Sequence, residues 1–236
     1  MMKPLDLTPA EINAVLEIPD TQSSTPIKPE EAAFIYNFIK KNKLTRTCET
    51  GFGFARSASH IIAAHGGKHI VMDPFQSNYN YGGLKNIERL GWKEYLQFYE
   101  AFSHDVLPKL VADQQHFQFI FIDGDHRFDG CFVDYYYADL ALEQGGYMLF
   151  HDTWMRPIQL VMNFIRTNRK DYEKIETPLR NFALYQKIGN DSRGGMTHAE
   201  FYNFKSFITH NVIYWLSNGK SSALKRMVFK LKEWMK

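Results

Sequence analysis

Glu49-Thr50-Gly51-Phe52-Gly53-Phe54-Ala55-Arg56-Ser57-Ala58, read as ETGFGFARSA, lies between a short strand-like run, TRTCET, and a helical run, ARSASHIIAAH, that closes on Gly66-Gly67. Two glycines one residue apart at a strand-to-helix turn let the backbone bend sharply and approach a ligand where a side chain would collide. Glu49 stands two positions ahead of Gly51 and faces whatever lies against the turn. Asp73 ends the next strand, KHIVMDP, 20 residues after Gly53, where a carboxylate accepts both hydroxyls of a ribose.

Outward from this turn, apolar runs and helical patterns alternate from Pro29 to Ile188, the signature of βαβ units. PEEAAFIYNFIKKN predicts a helix with Pro29 in its first turn, Glu30 and Glu31 at the positive end of its dipole and lysines at the other end. YLQFYEAF predicts a third strand, followed by the helix HDVLPKLVADQ. FQFIFIDGDH is aromatic and β-branched in its strand portion apart from Gln118, as expected of a strand buried on both faces of a parallel sheet. A helix through CFVDYYYADLALEQ leads by Gly145-Gly146 to the strand YMLFHDT, and the helix IQLVMNFIRTNR follows. YEKIETP and NFALYQKI are too close for a helical crossover and predict an antiparallel pair.

The expected fold is therefore α/β: a three-layer Rossmann-like sheet, mostly parallel, closed by an antiparallel C-terminal hairpin. Its bounds are 29–188, with a helical N-terminal extension at 1–28 and a helical C-terminal extension at 189–236. Ligands of such sheets bind beyond the carboxyl ends of the strands. There the sequence places Glu49, Asp73, Ser103, Asp123 to His126, and His151-Asp152.

Composition bounds the partners. A net charge of +2 over 236 residues gives no reason to expect nucleic acid. Cys48 and Cys131 lack metal-ligand spacing and fit reduced core thiols. No apolar run approaches the roughly 18 residues that span a bilayer. A cytoplasmic enzyme acting on a small molecule is the expectation.

GFGFAR lacks the third glycine of the dinucleotide fingerprint, and Glu49 would set negative charge against a pyrophosphate. The carboxylate suits instead a ligand carrying an amino group and a sulfonium. ETGFGFA, MDPF and AFSHDVLP resemble the first motif, the ribose-binding strand end and the adenine-side segment of class I S-adenosylmethionine-dependent methyltransferases. FIDGDHRFDGCFVDY and LALEQGGYMLFHDT narrow that resemblance to small O-methyltransferases of macrolide-sugar and polysaccharide metabolism and to cephalosporin hydroxylase-like proteins. The resemblance implies a cofactor site of Glu49, Gly51, Gly53, Asp73, Ser103 and Asp123, and a sugar or glycoconjugate hydroxyl as acceptor.

Relatives in that branch hold magnesium through the first aspartate after strand four and an acidic pair after strand five. The matching positions are Asp123 and His151-Asp152, so the resemblance implies Asp123, Asp152 and His151 as metal ligands. An imidazole in place of a carboxylate weakens the case for magnesium, which prefers oxygen. His126 is the expected catalytic base, with His151 the other candidate and Asp123 the group that orients the ring. Two rivals remain. One is an NAD(P)-dependent oxidoreductase, for which no Tyr-x-x-x-Lys pair is evident; the other is a non-catalytic module that binds S-adenosylmethionine without turnover.

Four features carry less. Tyr135-Tyr136-Tyr137 suits either a buried helix face or an acceptor platform, and Trp154 is placed to border an acceptor pocket. Asp191 and Arg193 lie in a turn-rich loop. SSALKRMVFKLKEWMK predicts a basic amphipathic helix that packs on its own domain, pairs two copies as a homodimer, or lies on an anionic membrane surface.

Overall fold

The computed structural model describes residues 5–201. The amphipathic helix expected at 221–236 lies outside them. Seven strands form one sheet in the order β3-β2-β1-β4-β5-β7-β6. They are β1 (Thr47–Thr50), β2 (His69–Met72), β3 (Leu96–Tyr99), β4 (Phe117–Ile122), β5 (Leu142–Phe150), β6 (Tyr172–Ile175) and β7 (Ala183–Lys187). β1 to β5 run parallel, while β7 is antiparallel to both β5 and β6. The expected mixed sheet and its closing hairpin are both present. The antiparallel β7 distinguishes the sheet from the all-parallel order of dinucleotide-binding folds.

Alternation along β4 explains the three layers. Phe119 and Phe121 join a cluster with Ile35 and Ile39 of helix α2 (Pro29–Asn42), whereas Ile120 and Ile122 join residues of the opposite face. That second cluster takes Leu107 and Leu110 from α5 (Ser103–Ala112), Tyr135 and Ala138 from α6 (Phe128–Ala141) and Val161 and Ile165 from α7 (Arg156–Asn168). On the first face, Ala58 and Ile62 of α3 (Arg56–His65) and Ile87 and Leu90 of α4 (Gly82–Leu90) meet Ile12 of α1 (Pro9–Val15). Segment 9–15 is thus part of the same core as the sheet.

The helix expected to run through Gln144 stops at Ala141, and Leu142 already pairs with Phe117. Gly145, with φ +85°, lets the strand pass through a register shift before Tyr147 pairs with Phe119. Extended pairing beside β4 outcompeted the helical periodicity there. Both cysteines are buried and free, as expected. Among the described residues no helix is long and apolar enough to cross a membrane.

The chain passes from β1 outward to β2 and β3, then returns to place β4 on the other side of β1. This reversal opens a crevice between the carboxyl ends of β1 and β4.

Candidate active site

A cavity of about 820 Å³ fills the crevice, lined among others by Glu49, Gly51, Gly53, Asp73, Ser103, Asp123, His126 and Asp152. The strand ends thus bring together every residue expected at the site except His151, which lies buried behind it.

On the β1–β2 side, Gly51 and Gly53 both adopt left-handed conformations, with φ +87° and +47°. Their reasons differ. A Cβ on Gly51 would lie 2.2 Å from the carbonyl oxygen of Asp123, so the adjacent β4 turn by itself demands glycine there. A Cβ on Gly53 would meet nothing closer than Thr25 Cγ2 at 3.9 Å, and that glycine does border the cavity. Asp73 fastens the turn: Oδ2 accepts from the backbone N–H groups of Phe52 at 3.1 Å and Gly53 at 3.0 Å, and Oδ1 accepts from Phe75 N–H at 2.7 Å. Oδ1 keeps a free lone pair for a ligand hydroxyl.

Glu49 is buried at the cavity floor, where Ser57 Oγ donates to Oε1 and His69 Nε2 lies 3.0 Å from Oε2. Burial pushes its carboxyl well above the usual carboxylate range, and the Ser57 hydrogen bond opposes that push. Arg56, which opens α3, was not singled out in the sequence. Its Nη1 donates to the Ile27 carbonyl at 2.6 Å, and its buried Nε has no partner beside the cavity.

The β4–β5 side is organised by two histidines. His126 Nε2 lies 3.0 Å from Asp152 Oδ2 and 3.9 Å from Asp123 Oδ1, without a well-aligned hydrogen bond to either. Asp123 and Asp152 together push its pKa up to about 9. Asp152 carries φ +50°, a left-handed conformation that aspartate tolerates better than most residues, and Trp154 Nε1 donates to its Oδ1 at 2.9 Å. His151 turns away from the cavity: its Nδ1 lies 2.9 Å from Asp123 Oδ1 and its Nε2 3.3 Å from Glu31 Oε2 on α2. Burial works against its charge, but Asp123, Glu31 and Asp152 outweigh it and lift the pKa to about 10.

The geometry around the implied ligand set differs from that expectation. His151 has both ring nitrogens engaged, Nδ1 with Asp123 at 2.9 Å and Nε2 with the Asn181 amide at 2.7 Å and Glu31 at 3.3 Å, and Asp123, His126 and Asp152 are the residues whose donor atoms converge within 4.8 Å of one another. These residues fit a divalent cation: one imidazole nitrogen lacking a hydrogen bond and two carboxylates form a mixed nitrogen–oxygen set, better suited to manganese, iron or zinc than to magnesium. The orientation of His126 also differs from expectation, since Asp152 approaches it more closely than Asp123.

Residues 48–153 match a family model described as a methyltransferase domain. The sheet order, with its antiparallel hairpin, is that of a Rossmann-like methyltransferase fold. Among curated proteins, the domain is 32% identical over 101 residues to caffeoyl-CoA O-methyltransferase 1 of Arabidopsis thaliana, covering 41% of this chain and 39% of that protein. It is 27% identical over 128 residues to caffeoyl-CoA O-methyltransferase 5 of Nicotiana tabacum, covering 52% of each. The chain thus spans about half or less of the curated relatives it matches. Among solved structures, an O-methyltransferase from Bacillus cereus in complex with SAH superposes with TM-score 0.61 at 15% identity, covering 77% of this chain and 90% of that one. TomG, an O-methyltransferase of tomaymycin synthesis from Streptomyces achromogenes in complex with SAM, superposes with TM-score 0.60 at 12% identity, covering 80% of this chain and all of that one. At these identities the likeness extends to the fold.

Proposed function

We propose that the protein is an S-adenosylmethionine-dependent O-methyltransferase acting on a hydroxyl of a small acceptor. One observation carries this reading: a single cavity joins the Glu49–Asp73 glycine turn to the convergent Asp123, His126 and Asp152. The donor supplies a methyl group already activated on a positive sulfur. Asp73 Oδ1 binds a ribose hydroxyl, Ser103 borders the adenine side, Glu49 faces the ammonium and sulfonium, and Arg56 takes the carboxylate of the methionine end. Paired opposite charges hold the donor in one orientation, the chief demand of a reaction whose electrophile needs no further activation.

On the other side, Asp123, His126 and Asp152 receive the acceptor oxygen. A divalent cation held by these three would lower the hydroxyl's pKa there. His126 removes the proton in its neutral form, so the metal-free protein should use it more as pH rises towards about 9. The exposed rings of Phe75 and Phe102 line the cavity, and that of Trp154, 68% exposed, hangs beside it through its hydrogen bond to Asp152. Those rings and the name of the plant relatives favour a phenolic acceptor. The sugar or glycoconjugate hydroxyl expected from sequence is the second reading, which the hydrogen-bonding capacity of the neighbouring Asp125–Arg127 pair supports.

The test is transfer of labelled methyl from S-adenosylmethionine to a catechol and to a set of sugars, with and without manganese, zinc or magnesium. Transfer to a catechol supports the first reading and transfer to a sugar alone the second. Donor binding without transfer to either acceptor class would favour a non-catalytic module.

A further inference from the structure

Beneath the cavity, a line of side chains runs from Glu49 back along β1 to the amino ends of β1 and β2. His69 Nε2 lies 3.0 Å from Glu49 Oε2, and His69 Nδ1 lies 2.8 Å from Thr47 Oγ1. Thr47 Oγ1 in turn lies 3.0 Å from His65 Nε2, and the backbone N–H of Gly67 donates to His65 Nδ1 at 2.9 Å. Thr47, Glu49 and His69 are buried, and His65 closes α3 near the surface.

One fixed donor sets the direction of the outer half of the line and permits one for the inner half. Because the Gly67 amide always donates, His65 Nδ1 is an acceptor and its neutral ring carries hydrogen on Nε2. That hydrogen goes to Thr47 Oγ1, which frees the threonine hydroxyl to donate to His69 Nδ1. His69 then carries its hydrogen on Nε2 and donates to Glu49. The reverse direction would leave His65 with no ring proton, an imidazolate. Both imidazoles are kept neutral by burial, with pKa values pushed down to about 3 for His69 and about 4 for His65.

We propose that His65, Thr47 and His69 are positioning residues whose directed hydrogen bonds favour the anionic form of Glu49 against the push of burial and aim it at the ammonium of the methyl donor. A buried carboxyl without donors would take up a proton and lose its grip on a cation. The line supplies one donor, Ser57 the other, and each oxygen of Glu49 keeps a lone pair for the ligand. Ligands with an amino-acid end should feel this; ligands without one should not.

The inference rests on the methyl-donor reading, and the test separates the two. Binding of S-adenosylhomocysteine and of 5′-methylthioadenosine, which lacks the amino-acid end, is measured by calorimetry on the full chain and three variants. Thr47→Val, nearly isosteric, releases His69 from its tautomer and should weaken S-adenosylhomocysteine about tenfold while leaving methylthioadenosine within about twofold. His69→Leu should weaken it further, and His69→Gln, whose amide can still donate towards Glu49, should recover most of the loss. Equal weakening of both ligands, or no weakening of either in folded Thr47→Val protein, would overturn the positioning role. Failure of the unsubstituted protein to bind either ligand would overturn the donor reading itself, and this inference with it.

Discussion

The two halves of the cavity treat their polar groups in opposite ways. On the β1–β2 side, Glu49, His69, Thr47 and Asp73 are buried and their hydrogen bonds are made within the protein, several to backbone N–H groups. On the β4–β5 side, Asp123, His126 and Asp152 are only partly buried, and the His126 nitrogen points at two carboxylates without a hydrogen bond to either. A pre-satisfied wall suits one invariant ligand, because its charges and directions are set before binding. A wall of convergent, unmet donors suits a cation and a changing acceptor. The fixed half reads as the donor site and the open half as the site of chemistry.

The comparison can be broken by substitution. The largest effect should come from Asp123→Asn, which removes a charge that faces both histidines; methyl transfer should fall about a thousandfold with donor affinity changed little. Comparable loss of donor binding would show that the halves are not separate. Gly51→Ala forces a Cβ to 2.2 Å from the Asp123 carbonyl at φ +87° and should cost about 3 kcal/mol of stability in a denaturant titration. Gly53→Ala has room at its site and should cost about 1 kcal/mol. Similar losses at the two glycines would contradict their different roles.

A pH experiment sharpens the same contrast. Asp134, buried on α6 below the cavity, has its pKa pushed up to about 6 by desolvation, opposed by the nearby hydroxyls of Ser103 and Thr50. Its folded value exceeds its unfolded one, so its contribution is complete below about pH 4 and is lost as pH rises through about 6. Asp134→Asn should therefore flatten stability against pH over that window and raise stability at pH 7 by about 1 to 3 kcal/mol. An unchanged pH profile would place the titration elsewhere.

Much of this was legible in the chain because strand ends are local. The change from apolar run to acidic residue marks Asp73, Asp123 and Asp152, and a turn between strand and helix marks the glycines. Legibility stopped where partners come from distant segments. His151 looked like a ligand because it adjoins Asp152, but Asn181 at 2.7 Å and Glu31, 120 positions earlier, at 3.3 Å engage its far nitrogen away from the cavity. Glu31 itself had a sufficient local explanation at the first turn of α2, so nothing in the sequence signalled its second contact. His69 read as an ordinary strand residue, and its role follows only from the parallel pairing that sets Glu49 beside Val71 and Thr47 beside His69. His126 was paired with its neighbour Asp123, whereas the left-handed turn at Asp152 brings the nearer carboxylate.

The most direct test of the account is calorimetric titration of the full chain with S-adenosylmethionine and, in parallel, with NAD⁺ and NADP⁺. The account predicts binding of S-adenosylmethionine alone, with Asp73→Asn weakening it about tenfold through the ribose contact. Binding of a nicotinamide cofactor in its place would contradict it, because Glu49 would then face a pyrophosphate with like charge.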